Sequence, residues 1–310
     1  MLCIMHKRVW DTPAMPLRSG AAPGRTPAGN DFPQAAASGY PRDFLDNHFV
    51  YLVVSPRAHG LCLGVNLNPV PHGNLNCLDG EADRAQGAPG ATLEMHRMVM
   101  ELRETLELVR GGWLRQWSRY ARLPAELLNV RHVALSGDRE PTLTRQFVEA
   151  VRAVVRLRAR DGHFKIVLST DATALDQAPA QQGLALLGQE DEVWAQLDGG
   201  TQAYLDRING AAMPLAEILR NIVLVGRQRP VVIQSLFPAL NGEEPPAHEI
   251  QAYAQCLKAL KEAGAVIPLV QIYSANRPMG RSGCGHLPLR TLSQIAQTVR
   301  RVAGLRAEVF

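Results

Sequence analysis

Short apolar runs alternate along this chain with longer stretches of helical period. Residues 61–67, 130–135, 164–168, 192–197, 231–236 and 266–273 are rich in Val, Ile and Leu, and each has the length of a buried strand. Between them, residues 92–111, 142–158, 248–263 and 288–302 carry apolar positions at helical spacing, and residues 201–222 supply one or two further helices. In the first of these, Leu93, Met95, Met98, Val99, Leu102, Leu106 and Val109 recur on one face, and Thr92 is placed as its N-cap. A helical crossover returns the chain to the same end of a sheet, so strands joined this way run parallel. Six such strands predict an α/β fold, a (β/α)6 partial TIM-type barrel with a mostly parallel sheet. A doubly wound sheet has nearly the same periodicity. Residues 42–54, RDFLDNHFVYLVV, lead into the first strand and end in a strand of their own.

Upstream of this pattern, residues 11–40 are rich in Pro, Gly, Ala and Ser and show no period, which predicts a flexible N-terminal arm (1–41) before a barrel domain (42–310). Composition changes little in this picture. With 46% apolar and 20% charged residues, the chain has the profile of an ordinary soluble protein. Its net charge of +4 is mild and gives no clear nucleic-acid signal. No apolar run approaches the roughly 18 residues that span a bilayer, and the apolar part of the N-terminus is too short for a signal peptide. The five cysteines are scattered and odd in number, which points to a reducing, cytoplasmic setting.

Chemistry concentrates where strands end. Residues 60–81, GLCLGVNLNPVPHGNLNCLDGE, run from a strand through the turn signal Asn68-Pro69 into a loop holding His72, Cys77, Asp79 and Glu81. Three later strands end in SGDREPT (136–142), STDAT (169–173) and DGGT (198–201). Each places a carboxylate and small residues just past the carboxyl end of a strand, where barrel enzymes collect their working groups. The same Asp and Thr residues are also ordinary helix caps.

Together these segments resemble the radical SAM superfamily over residues 43–302. GVNLNP followed by a Cys-bearing loop is similar to its cluster-binding strand and loop. SGDREPTL is similar to its SGxGEPT loop, STDAT to its TNAT loop, and AQLDGGT to its KLDAGT segment. VVIQSLF and LVQIYSANRP are similar to its last two strands. The resemblance implies a small-molecule ligand, S-adenosylmethionine, whose amino group is held at Gly137 and Glu140, with Asp171 and Asp198 also at the cofactor. It implies as well a 4Fe–4S cluster held by three cysteines spaced CxxxCxxC. Aligned on GVNLNP, those positions are Gly73, Cys77 and Gly80. Cys77 is thus the only surviving metal position, and because such clusters are held by thiolates, the expectation is that the cluster is lost.

Other departures fall on the same loops. Arg139 replaces a glycine, Asp171 replaces an asparagine with an acceptor-only carboxylate, and Gln196 replaces a lysine. The sequence therefore predicts a pseudoenzyme or a repurposed adenosyl-ligand binder, or a scaffold for a protein partner. Two alternatives stand beside it: an active radical SAM enzyme whose cluster has unusual ligands, and a mononuclear metal enzyme using His72, Cys77 and Asp79.

Overall fold

A computed structural model of the protein describes residues 44–69, 93–162, 164–209, 214–274 and 284–310. All of them belong to one compact unit, residues 38–310. The chain enters through β1 (Val50–Ser55), turns into β2 (Gly60–Asn66), and resumes with α1 (Met95–Arg110) and the short α2 (Ser118–Ala121). Then follow β3 (Val130–Ser136), α3 (Phe147–Asp161), β4 (Lys165–Thr170), α4 (Ala178–Leu184), β5 (Glu192–Gln196), α5 (Gln202–Asn209) and α6 (Leu215–Gly226). The last part comprises β6 (Val231–Leu236), β7 (Ala239–Leu240), α7 (Ala247–Glu262), β8 (Val270–Tyr273), β9 (Cys284–Gly285), α8 (Leu289–Ala303) and β10 (Ala307–Val309).

Strand order decides between the two architectures the periodicity allows. The main sheet runs β1-β2-β3-β4-β5-β6-β8-β10, in sequence order throughout. A doubly wound sheet reverses direction at a switch point and so has helices on both faces. Here there is no reversal, and right-handed crossovers place every helix on one face. The sheet is the predicted partial barrel. It is wider than the six core strands: the lead-in strand read at the end of residues 42–54 pairs antiparallel at one edge as β1, and β10, which the sequence reading did not include, adds a parallel strand at the other.

Alternation along each strand separates two environments. Leu61, Leu63, Val65, Val133, Leu135, Ile166, Leu168, Val193, Ile233, Val270 and Ile272 face the helices and form the main core with Met98, Leu102, Leu106, Val151, Ile222, Leu257 and Ile295. The intervening residues face the concave side. There, Val167, Trp194 and Val232 pack with Ala58 of the β1–β2 turn, and Cys62, Ala134 and Leu269 join them. This second, smaller cluster is an apolar floor inside the curled sheet. The curl is visible in a contact between elements far apart in strand order: the Arg57 guanidinium stacks on the ring of Tyr273 in β8, 4.3 Å from its centroid.

Several boundaries differ from the sequence reading for local reasons. The helix expected from residue 142 begins at Phe147, because Pro141–Leu143 first makes a 3-10 turn closed by the Glu140 carboxylate. The strand expected over 266–273 is regular only from Val270. The first helix begins at Met95 with Glu94 preceding it, and the expected cap, Thr92, lies outside the described residues.

Candidate functional site

Counting outward from the apolar floor, each parallel strand adds one lumen-facing residue every second position. Two positions beyond Cys62, Ala134, Val167, Trp194, Val232 and Leu269 stand Gly64, Ser136, Ser169, Gln196, Gln234 and Gln271. This middle layer carries no charge. Two positions further, at the carboxyl end of the barrel, stand Asn66, Asp138, Asp171 and Asp198 on β2 to β5. The three aspartates are 3, 6 and 6% exposed, so the open end of the barrel is a rim of largely buried carboxylates.

The loop from Gly137 to Glu140 is fastened on both sides. Asn66 Oδ1 accepts from the Asp138 and Asn68 backbone N–H groups, both at 3.2 Å. Asn68 Oδ1 accepts from Arg139 N at 3.0 Å, and its amide donates to the Arg139 and Glu140 carbonyls and to Thr144 Oγ1. The glycine at 137 is what admits this amide: a Cβ there would lie 2.3 Å from Asn68 Oδ1 and 2.5 Å from the Arg139 carbonyl. The Arg139 side chain keeps its Nε buried with no hydrogen-bond partner.

Glu140 clips the β3 and β4 loops together. Its Oε1 accepts from Thr142 N (3.2 Å), Thr142 Oγ1 (2.6 Å) and Thr170 Oγ1 (2.8 Å), and its Oε2 accepts from Asp171 N (2.7 Å). Burial, reinforced by the neighbouring Asp171 carboxylate, pushes its carboxyl well above the usual range. Asp171 in turn accepts from Thr173 N at 2.9 Å and from the Thr173 hydroxyl, closing a turn in which Ala172 adopts a positive φ of 64°. The Asn221 amide holds that turn from outside by donating to the Ala172 and Thr173 carbonyls.

Asp198 belongs to the adjoining network. Its Oδ1 accepts from Leu236 N at 2.8 Å, and Asn209 Nδ2 donates to Oδ2 at 3.4 Å. Behind it, Gly200 lies against α7 so closely that a Cβ would sit 1.9 Å from Tyr253 N. Glu249 of α7 accepts from the Gly200 and Thr201 backbone N–H groups and from the Thr201 hydroxyl (2.6 Å). The structure thus joins Glu140 and Asp171 directly, ties Gly137 to the same loop through Asn68, and sets Asp198 on the neighbouring strand as the next member of the rim.

The sequence reading missed Asn66 and Asn68, and it gave Asp138 only as part of the carboxylate-bearing loop 136–142. Asn68 reads as a turn former, whereas its side chain is the lock between β2 and the 137–140 loop. The available signal was the period-2 register beyond each strand, which puts Asp138, Asp171 and Asp198 in one layer.

The metal candidates fare differently. Cys77 lies outside the described residues, as do His72, Asp79 and Glu81. Among the cysteines that are described, Cys62 is on the lumen floor, where burial pushes its thiol up to about 12. Cys256 is on α7, with its Sγ 3.5 Å from the Gly200 carbonyl and its thiol also raised by burial. Cys284 pairs with Leu240 in the small β7–β9 ladder. Among the described residues no three of His, Cys, Asp and Glu are grouped to hold a metal ion. Taken with Gly73 and Gly80 in the sequence, these thiols do not fit a cluster that takes three thiolates from one loop.

Comparison with known proteins speaks mainly to the fold. No protein-family model and no curated protein sequence matches the chain. Among solved structures, the chain is similar to SuiB of Streptococcus suis, in a structure bound to S-adenosylmethionine. That match has 13% identity and a TM-score of 0.51, and covers 82% of this chain and 51% of SuiB. Archaeal TYW1 matches at 14% identity over 78% of this chain and 72% of that one, with a TM-score of 0.47. HemN, the coproporphyrinogen III oxidase of Escherichia coli and a radical SAM enzyme, matches at 10% identity over 75% and 50%, with a TM-score of 0.42. The chain spans about half the length of SuiB. It shares the partial-barrel fold of SuiB.

Proposed function

We propose that the chain is a radical SAM-type barrel that binds S-adenosylmethionine, or another positively charged adenosyl ligand, at its acidic rim, and that it has lost the family's three-thiolate cluster. The observation that carries this reading is the rim itself. Asp138, Asp171 and Asp198 end three adjacent strands on one open face, and largely buried carboxylates attract an ammonium or sulfonium far more strongly than solvated ones do. Helix N-termini at the same edge favour anions, but their partial charges are outweighed by full carboxylate charges. In this reading Asp171 and Asp198 contact the ligand, Gly137 and its neighbours present backbone, and Glu140 positions the β3 and β4 loops from behind. The S-adenosylmethionine bound to SuiB, a protein of the same fold, supports the choice of ligand. Gly73 and Gly80 at the aligned cysteine positions support loss of the cluster. Among the described residues no helix is long and apolar enough to cross a membrane.

The test is anaerobic reconstitution with iron and sulfide, followed by titration of S-adenosylmethionine on the same sample. The expected result is no charge-transfer absorption and no retained iron, with saturable calorimetric binding that weakens at least tenfold in Asp198→Asn. A brown protein holding about four irons per chain would overturn the loss of the cluster. A colourless protein with no binding would overturn the adenosyl reading and leave a scaffold for a protein partner.

A further inference from the structure

On the helix side of the sheet, α6 and α7 leave a groove of about 410 Å³ between them, a volume in the range of small-molecule sites. Its walls are Leu219, Val223 and Leu224 of α6 against Cys256 and Ala259 of α7 and Ala263, the residue that caps α7. Ala259 and Ala263 are four positions apart and so stack on one face, where two methyl groups are too short to close the gap to α6. Burial raises the Cys256 thiol, which therefore stays neutral and lines the groove as a small apolar group. Leu224 remains 37% exposed at the lip. Among the described residues, the charged side chains lining the groove are Arg220 and Arg227, both cationic. They stand about two helical turns apart and share one side of α6. Arg220 makes a loose pair with Asp176 at 3.7 Å, and both side chains are largely in water, so the pair is worth little. Arg227 instead reaches across the end of the groove, where its Nε donates to the Ala263 carbonyl at 2.8 Å. That bond holds the guanidinium between the two helices and uses Nε alone. Arg227 makes no other hydrogen bond or ion pair among the described residues, so its end-on pair of Nη groups is available to a carboxylate.

We propose that this groove binds a medium-chain aliphatic carboxylate, with its chain along Leu219, Val223 and Ala259 and its carboxylate on the two Nη groups of Arg227. The groove is complementary to such a ligand in both respects: apolar along its walls, and cationic at its end. Leu219 and Arg227 are eight positions apart, about 12 Å along the helix, which an extended chain of about ten carbons covers. Burial of the methylenes supplies affinity, and the guanidinium fixes which end of the ligand lies where. A short carboxylate reaches Arg227 but leaves the apolar walls in water. An aliphatic cation of the same length meets two like charges. The groove lies between helices and does not rest on the adenosyl reading, which concerns the rim.

The experiment uses the full chain with carbon-13-labelled Leu and Val methyl groups, titrated with decanoate below its micelle concentration. The expected result is a saturable shift of the Leu219, Val223 and Leu224 methyl signals, assigned by their loss in Leu219→Ile, Val223→Ile and Leu224→Ile. Decan-1-ol keeps the chain without the charge, and hexanoate keeps the charge on a shorter chain; each should bind about tenfold more weakly. In Arg227→Gln, decanoate should weaken by about tenfold while decan-1-ol is unchanged, which separates a lost carboxylate contact from a disturbed groove. Decan-1-ol or decyltrimethylammonium binding as tightly as decanoate would overturn the proposal. So would saturable shifts confined to other methyl groups, or no saturable shift at all. The comparison of probes is made on the unaltered protein, so it stands even if a variant fails to fold.

Discussion

Glu140 reads in the linear sequence as a ligand contact, and in three dimensions it also accepts four hydrogen bonds from its own loop and the next. Its raised carboxyl value has a consequence for stability. From its ordinary value near 4.5 up to its raised value, the folded chain holds a proton that the unfolded chain has released, so stability is greatest at the acid end and falls as pH rises through that window. Urea midpoints measured across the acid-to-neutral range should show this slope, and Glu140→Gln should flatten it. An unchanged slope in the variant would assign the pH dependence to another group. Gly200 makes a second residue-scale prediction. A methyl group at 200 runs into the backbone of α7, which cannot swing aside as a side chain can. Gly200→Ala is expected to cost about 3 kcal/mol, the upper end of overpacking, read as a lowered denaturant midpoint. Gly137→Ala, which displaces one side-chain amide, should cost less in the same assay.

At the scale of elements, the sheet depends on its two added edges. β10 covers the outer side of β8 through Ala307↔Val270 and Val309↔Ile272, and Arg300 of α8 donates to the Ala307 carbonyl to hold it there. Removing residues 305–310 would strip the buried Leu305 and Ala307 from the core and open the β8 edge. Burial of a leucine is worth about 2 kcal/mol, so stability should fall by about that amount, read as a lowered urea midpoint, and size-exclusion chromatography should show association through the bared strand. An unshifted midpoint would mean that β10 is not part of the cooperative unit. At the opposite edge, Tyr51 covers Gly64, whose missing side chain is what lets the tyrosine lie across the lumen. A three-residue strand such as β10 has too little pattern to be recognised from sequence.

At the scale of the whole molecule, the curl of the sheet stacks three layers of different character: an apolar floor, a neutral amide and hydroxyl layer, and an acidic rim. A ligand that binds only the folded state raises stability by mass action, by about 2.7 kcal/mol at a hundredfold excess over its Kd. S-adenosylmethionine should therefore raise Tm in a concentration-dependent way, while a chelator leaves Tm unchanged. A fall in Tm with chelator would reveal a structural metal and favour the mononuclear-metal alternative.

What the sequence determined by itself was the α/β class, the parallel direction of the strands, and the loops where carboxylates collect. These follow from local periodicity and from turn residues, which act over a few positions. Tertiary structure decided the rest. Whether the sheet is singly or doubly wound depends on strand order, which a repeating pattern of strand and helix leaves open. Whether Glu140 faces a ligand or a neighbouring loop depends on Thr170 and Asp171, 30 and 31 positions away in the chain. The pairing of Gln234 with Gln271, 37 residues apart, exists only because β6 and β8 lie side by side in register. Side-chain roles of this kind are set by contacts distant in sequence, and a single chain written in order carries no mark of them.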